Sequence, residues 1–161
     1  HILGKPDTGF KQFLKTLTGG RISISALGLG ICEAGYQAAL KYANERDAFG
    51  RKIGEFQSIA FKLADMATQI EAAKHLVYHA AYLKDNGQDI IKEAAMAKLF
   101  TSELAMNITT EAIQIHGGYG YIREYNVERF FRDAKILEIG EGTSEVQRII
   151  ISREILKSLS Y

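Results

Sequence analysis

The only proline in this 161-residue chain is Pro6, and no other follows it. Proline removes a backbone donor and clashes with the preceding turn, so a chain without it can carry long helices. The apolar residues use that freedom. From about Gly19 to Arg46, Ile22, Ala26, Leu29, Tyr36, Ala39 and Ala43 recur at steps of three and four or their sums, which marks one helical face. The pattern breaks at "FGRKIGE". It resumes through Phe56, Ile59, Leu63, Met66, Ile70, Ala73, Val77 and Ala80 to a stop at Asn86 and Gly87. A third run passes Ile91, Ala94, Ala97, Leu104, Ile108, Ala112 and Ile115 and is halted by Gly117 and Gly118. A fourth starts near Thr143 and continues through Val146, Ile149, Ile150, Leu156 and Leu159. Nothing alternates with period two over a useful length, so strands are not expected.

Four amphipathic helices without a sheet bury their stripes only against one another. The predicted fold is all-α, an antiparallel four-helix bundle with a short extra helix. Residues 1–17, with "LGKPDTGF", read as a linker, and residues 18–161 as the bundle domain. The first helix contains Gly19, Gly20, Gly28, Gly30 and Gly35. Each costs about 1 kcal/mol against alanine in a helix interior, which predicts a close approach of backbone or ligand, or a frayed start.

Charge narrows the function classes. Twenty basic and 19 acidic side chains are mixed along the chain for a net charge of +1, so neither nucleic acid nor a membrane surface is an expected partner. Cys32 is the single cysteine and forms no internal disulfide; with no apolar run of membrane length, the expectation is an intracellular protein in a reducing compartment. His75 and His79 lie four apart on helix two, but no third ligand accompanies them, so no metal site is expected.

Three segments carry candidate chemistry. In "NERDAFGRKIGEFQ", Arg46, Arg51 and Lys52 surround Phe49 at a helix junction, a set that suits a phosphate and a flat ring or simply a solvated turn. In "QIHGGYGYIRE", Gly117, Gly118 and Gly120 allow close backbone approach to a ligand or end a helix. In "EIGEGTSEVQR", Thr143 or Ser144 can cap the last helix, but capping does not explain Glu141 between Gly140 and Gly142. Glycines on both sides free the backbone at a carboxylate, which suits a general base or an exposed turn.

The segments "YANERDAFGRKIGEFQ", "FKLADMATQIEAAK", "KEAAMAKLF", "AIQIHGGYGYIREYNVERFFRDAKI" and "EGTSEVQR", in this order and nearly without gaps, resemble the C-terminal helical domain of the acyl-CoA dehydrogenase family, its short- and branched-chain members in particular. The resemblance implies an FAD-dependent oxidoreductase of fatty acid β-oxidation that desaturates an acyl-CoA thioester between Cα and Cβ. It implies that Glu141 is the base that removes the α-proton, and that Gly142 and Arg21 lie on the substrate side. It further implies that Arg46, Phe49, Gln57, Gln114, Ile115, His116, Gly117 and Gly118 contact FAD held mainly by a neighbouring subunit, while Thr143, Ser144 and Glu145 touch the FAD of their own subunit. A few relatives carry the base one residue before the arginine that is Arg21 here; that position is Gly20, which leaves Glu141.

Further implications are a homo-oligomer arranged as a dimer of dimers, an electron-transfer flavoprotein as acceptor, and a bacterial cytoplasm or mitochondrial matrix. In the family an N-terminal helical domain and a middle β-domain supply most of the flavin and thioester sites, so 161 residues alone are expected to be inactive. Two alternatives stay open: a helical oligomerisation module without catalysis, and an acyl-CoA oxidase of the same superfamily. The chain departs from many relatives at Gly140, where they carry Tyr, and at Thr18, where they carry Asp. The acyl preference is therefore not implied.

Overall fold

The computed structural model describes residues 1–157. Its helices are α1 (Gly9–Glu45), α2 (Gln57–Asp85), α3 (Ile91–His116), α4 (Val127–Ala134) and α5 (Ser144–Lys157). The all-α bundle expected from the apolar spacing is what forms, with α4 as its short extra helix. Helix α1 begins at Gly9 rather than near Gly19, so part of the segment expected as linker is helical. Its first turns expose Phe10 and Phe13 and bury no stripe, which left periodicity nothing to register there.

Glycines in α1 allow close packing against α3. A Cβ at Gly28 would stand 3.4 Å from Thr101 Cβ, and one at Gly35 would stand 3.3 Å from Ile108 Cγ2. Positions 28 and 35 thus face 101 and 108, so α1 and α3 run in the same direction, backbone close to backbone. Helix α2 runs back between their ends, with Lys84 beside Gly19 and Lys62 paired with Glu111. Between the three lies the main core, built on Leu29, Cys32, Met66, Ile70, Leu104 and Ile108.

Two expectations are corrected. Asp47–Ala48 (β1) and Arg51–Lys52 (β2) pair antiparallel, with Asp47 opposite Lys52. Strands of two residues are too short to alternate visibly. The turn joining them, Phe49 (φ 52°) and Gly50 (φ 82°), is left-handed at both positions, as a tight two-residue hairpin requires. The second correction concerns α5. Its apolar residues were expected to close the bundle, but Ser144 and Gln147 are the residues it buries, and Val146, Ile149 and Leu156 stay 40–60% exposed. It packs on a polar part of α3, where Arg148 pairs with Glu103 at 2.6 Å. Leu159, also assigned to that stripe, lies outside the described residues.

Candidate active site

Glu141 lies in the loop before α5. Gly140 donates its N–H to Ile136 O at 2.8 Å, and the backbone then turns left-handed at Glu141 (φ 56°) and Gly142 (φ 94°). Both flanking glycines were expected to give this freedom, but Gly140 is not left-handed; the unusual backbone sits on Glu141 itself and on Gly142. That geometry costs a non-glycine residue about 1–2 kcal/mol, so the surroundings must hold it. Gln147, fully buried on α5, donates Nε2 to Gly142 O at 2.8 Å and to Glu141 O at 3.3 Å. Lys98, fully buried on α3, donates Nζ to the same Gly142 O at 2.8 Å. Thr143 caps α5 as expected: its carbonyl accepts from Gln147 N–H at 3.0 Å, and its hydroxyl accepts from Val146 N–H at 3.4 Å.

The held loop aims Glu141 back at α1. Its carboxylate covers Gly20 so closely that a Cβ there would stand 2.9 Å from Oε2 and 3.1 Å from Cδ. A side chain at position 20 and the one at 141 would compete for a single volume, so the two positions named above as alternative sites for a base converge in space. Beside them Arg21 is 6% exposed and donates Nη1 to Thr18 Oγ1 at 3.4 Å. Burial pulls its guanidinium pKa down, and the charge of Glu141 pulls it partly back. Burial likewise lowers the Lys98 ammonium, against the charge of Glu138.

Arg21 Nε, Glu141 Oε2, Ser144 Oγ and Gln147 Oε1 are buried without a hydrogen-bond partner, and among the described residues no other buried side-chain N or O is in that state. All four belong to this loop, the α5 start and the facing turn of α1. An unsatisfied buried polar atom costs about 1–3 kcal/mol, so four at one place are a concentration of polar groups that calls for partners.

The second candidate set lies at the other end of α1. Arg46, Ile115, His116, Gly117 and Gly118 meet around a cavity of about 500 Å³ that Tyr42 and Tyr119 also line. His116 is 5% exposed and stacks on Tyr42 with ring centres 4.2 Å apart. Its Nδ1 lies 2.7 Å from Ala112 O; a carbonyl only accepts, so Nδ1 carries the proton. Burial lowers the His116 pKa, partly offset by that bond. The Arg46 guanidinium lies 5.7 Å from the Tyr119 ring centre and is exposed. Gly117 (φ 59°) caps α3 as expected, and no atom stands within 4 Å of a Cβ at Gly117 or Gly118, so the backbone lies open. Phe49 at the hairpin tip is 96% exposed; like Gln57 and Gln114, it stands on the surface outside the cavity lining.

Thr143, Ser144 and Glu145 border a smaller cavity of about 200 Å³ with Lys135 and Glu138. The Glu145 carboxyl is held below its ordinary pKa, first by its own backbone N–H and then by the Thr143 hydroxyl. His75 and His79 are exposed on α2, with His75 Nε2 3.5 Å from Glu71, and among the described residues no three potential ligand side chains converge as a metal site.

Lys98 was not singled out from the sequence, and Gln147 was read only as a support for the first turn of α5, not as a residue of the site. A signal existed for Lys98: with Ala94, Thr101 and Ala105 it occupies the i, i+4, i+7, i+11 stripe that α3 buries, where a lone cation is out of place. Gln147 had none beyond its position one turn after the cap.

A family profile described as "Acyl-CoA dehydrogenase, C-terminal domain" matches residues 7–156. The chain is 59% identical to "Probable acyl-CoA dehydrogenase YngJ" of Bacillus subtilis over 157 residues, covering 98% of this chain and 41% of that protein. It is 50% identical to the "Caffeyl-CoA reductase-Etf complex subunit CarC" of Acetobacterium woodii, covering 96% of this chain and 41% of that one. The solved butyryl-CoA dehydrogenase of Megasphaera elsdenii superposes with a TM-score of 0.95 at 51% identity, covering 96% of this chain and 40% of that chain. The chain thus spans about two fifths of the length of the relatives it matches.

Proposed function

Because this chain belongs to the acyl-CoA dehydrogenase family, as a C-terminal domain, we propose that it contributes the base and part of the flavin site to an enzyme that desaturates an acyl-CoA thioester. The observation that carries the proposal is the cluster of unpaired buried polar atoms around Glu141, with its carboxylate pressed against α1. Glu141 accepts the proton from Cα as that C–H bond breaks. The Cβ–H leaves with its electron pair, a Cα–Cβ double bond forms, and the thioester loses two electrons and two hydrogens. Clamping the loop places the carboxylate before substrate arrives, which turns a bimolecular proton transfer into an oriented one. Arg21, with Nε unsatisfied, and Gly142 stand on the substrate side.

FAD supplies the hydride acceptor when bound. The residues present fit it. Open backbone at Gly117 and Gly118 beside the exposed Arg46 guanidinium suits a pyrophosphate, and the stacked His116 and Tyr42 rings suit a flat neighbour. Ile115 lines the same cavity, and Phe49, Gln57 and Gln114 are assigned to the same flavin from the exposed surface outside it. Thr143, Ser144 and Glu145 would meet a flavin at the α5 N-terminus, where amide donors favour an anion. Gly20 and Arg46 are 26 residues apart on one helix, about 39 Å. One chain therefore offers its two ends to different flavins, which supports a homo-oligomer; we assign it the arrangement of a dimer of dimers.

We assign electron exchange to an electron-transfer flavoprotein and the location to a bacterial cytoplasm or mitochondrial matrix. Direction is a separate point. The Acetobacterium relative is named a reductase in an Etf complex, and in that direction Glu141 in its protonated form would give its proton to Cα as a hydride is delivered to Cβ and the double bond is reduced.

In the FAD-loaded enzyme that carries this domain, Glu141→Gln should keep FAD bound and slow flavin reduction by acyl-CoA ~10²- to 10⁴-fold or more. Rapid bleaching of that variant by acyl-CoA would refute the assignment.

A further inference from the structure

We propose that Lys98 is a positioning residue for the reaction: from the buried face of α3 it holds the Gly142 carbonyl and thereby keeps Glu141 in the left-handed geometry that aims its carboxylate at the substrate. The proposal rests on the reading of Glu141 as the base.

Lys98 is fully buried among Ala94, Ala97, Thr101 and Ser102, a setting that opposes an ammonium charge unless something compensates it. Its Nζ donates to Gly142 O at 2.8 Å, and Gln147 Nε2 donates to the same oxygen at 2.8 Å. A carbonyl oxygen has two lone pairs, and here helices α3 and α5 take one each. That oxygen fixes the peptide plane after Gly142, and Gln147 Nε2, which also donates to Glu141 O at 3.3 Å, holds the plane before it; the left-handed residues, φ 56° at Glu141 and φ 94° at Gly142, border these two held planes. The carboxylate then lies over Gly20. Of the two donors one is charged, and a charge-assisted bond in a water-poor setting is the stronger. Through space Lys98 also faces the carboxylates Glu138, Glu103 and Glu145, with Arg21 opposing, so the cation ties together the segments that bound the site. Its Nζ bonds the loop backbone and not the Glu141 carboxylate.

The test uses the FAD-loaded enzyme that carries this domain, with an acyl-CoA substrate and a dye as electron acceptor. Lys98→Met should lower kcat ~10- to 100-fold, the loss that a misplacement of about 1 Å produces, while leaving KM and FAD content unchanged. Amide hydrogen exchange at Glu141–Thr143 should quicken, and Lys98→Arg should restore part of kcat. In a Glu141→Gln background Lys98→Met should add no further loss, because it acts through that carboxylate. An unchanged kcat, or the same fold loss in both backgrounds, overturns the proposal. If methionine at this buried position prevents folding, Gln147→Leu removes the other donor to Gly142 O and should give the same kcat-only loss; an unaffected kcat there also overturns the clamp. Full activity of Glu141→Gln alone would instead remove the base assignment, while amide exchange in the Lys98 variant would still report whether the tether exists.

Discussion

At Gly20 the backbone of α1 is covered by a carboxylate lying 2.9 Å from where a Cβ would stand, whereas about 39 Å along the same helix Arg46 extends an exposed guanidinium beside an open cavity of about 500 Å³. At the first end α1, α3 and α5 send the buried side chains of Arg21, Lys98 and Gln147, and the loop sends the half-buried Glu141. The second end is open, with Phe49 at 96% exposure and two glycines that meet nothing. A group that must move a proton needs a fixed position, and enclosure within one domain provides it. The openness of the second end is what the proposed sharing of a cofactor with another copy requires, since such a surface stays open until that copy arrives.

This contrast predicts different consequences at the two ends. The largest loss is the one stated for Glu141→Gln, and it should fall on the chemical step with cofactor retained. Arg46→Ala should do the reverse. Losing a charge-assisted phosphate contact of about 1.5–3 kcal/mol should weaken FAD binding about 10- to 100-fold, read from flavin released on dilution, while the flavin-saturated variant keeps most of its rate. Unchanged retention would mean that the open end is not a cofactor surface.

The smallest effect concerns pH. The folded chain holds His116 below its usual value of 6.5 because the ring is buried, so on acidification the unfolded chain takes up a proton there first. Stability should therefore be full above that value and fall as pH drops below it, by at most ~1.4 kcal/mol per pH unit for one group. Tm followed from about pH 7.5 to about pH 5 should show this slope, and His116→Phe should flatten it. An equal slope in both proteins would place the titrating group elsewhere.

Periodicity made the long helices legible because burial on one side leaves a repeating mark. It also located the stops at Asn86–Gly87 and Gly117. The start of α1 was not legible, since Phe10 and Phe13 face outward and no stripe forms. Nor was the outward face of α5: Val146, Ile149 and Leu156 are spaced like a core stripe, and sequence alone does not say which surface a stripe meets. The loop was half legible. Glu141 between glycines drew notice, but what aims it is a buried lysine 43 positions earlier and a glutamine on the following helix. Such contacts depend on tertiary placement, and a stripe of alanines interrupted by Lys98 is their one trace in the sequence.

The central claim is that the Glu141 carboxylate occupies a fixed volume over position 20 of α1 and acts from there. It is tested most directly by moving the acid across that volume, with Glu141→Gly alone and Glu141→Gly combined with Gly20→Glu in the FAD-loaded enzyme. The double variant should reduce its flavin with acyl-CoA at least ~10-fold faster than the single one, because a carboxylate returns to nearly the same place. If the double variant is no faster than Glu141→Gly while both bind FAD equally, the reacting carbon does not lie there and the assignment fails.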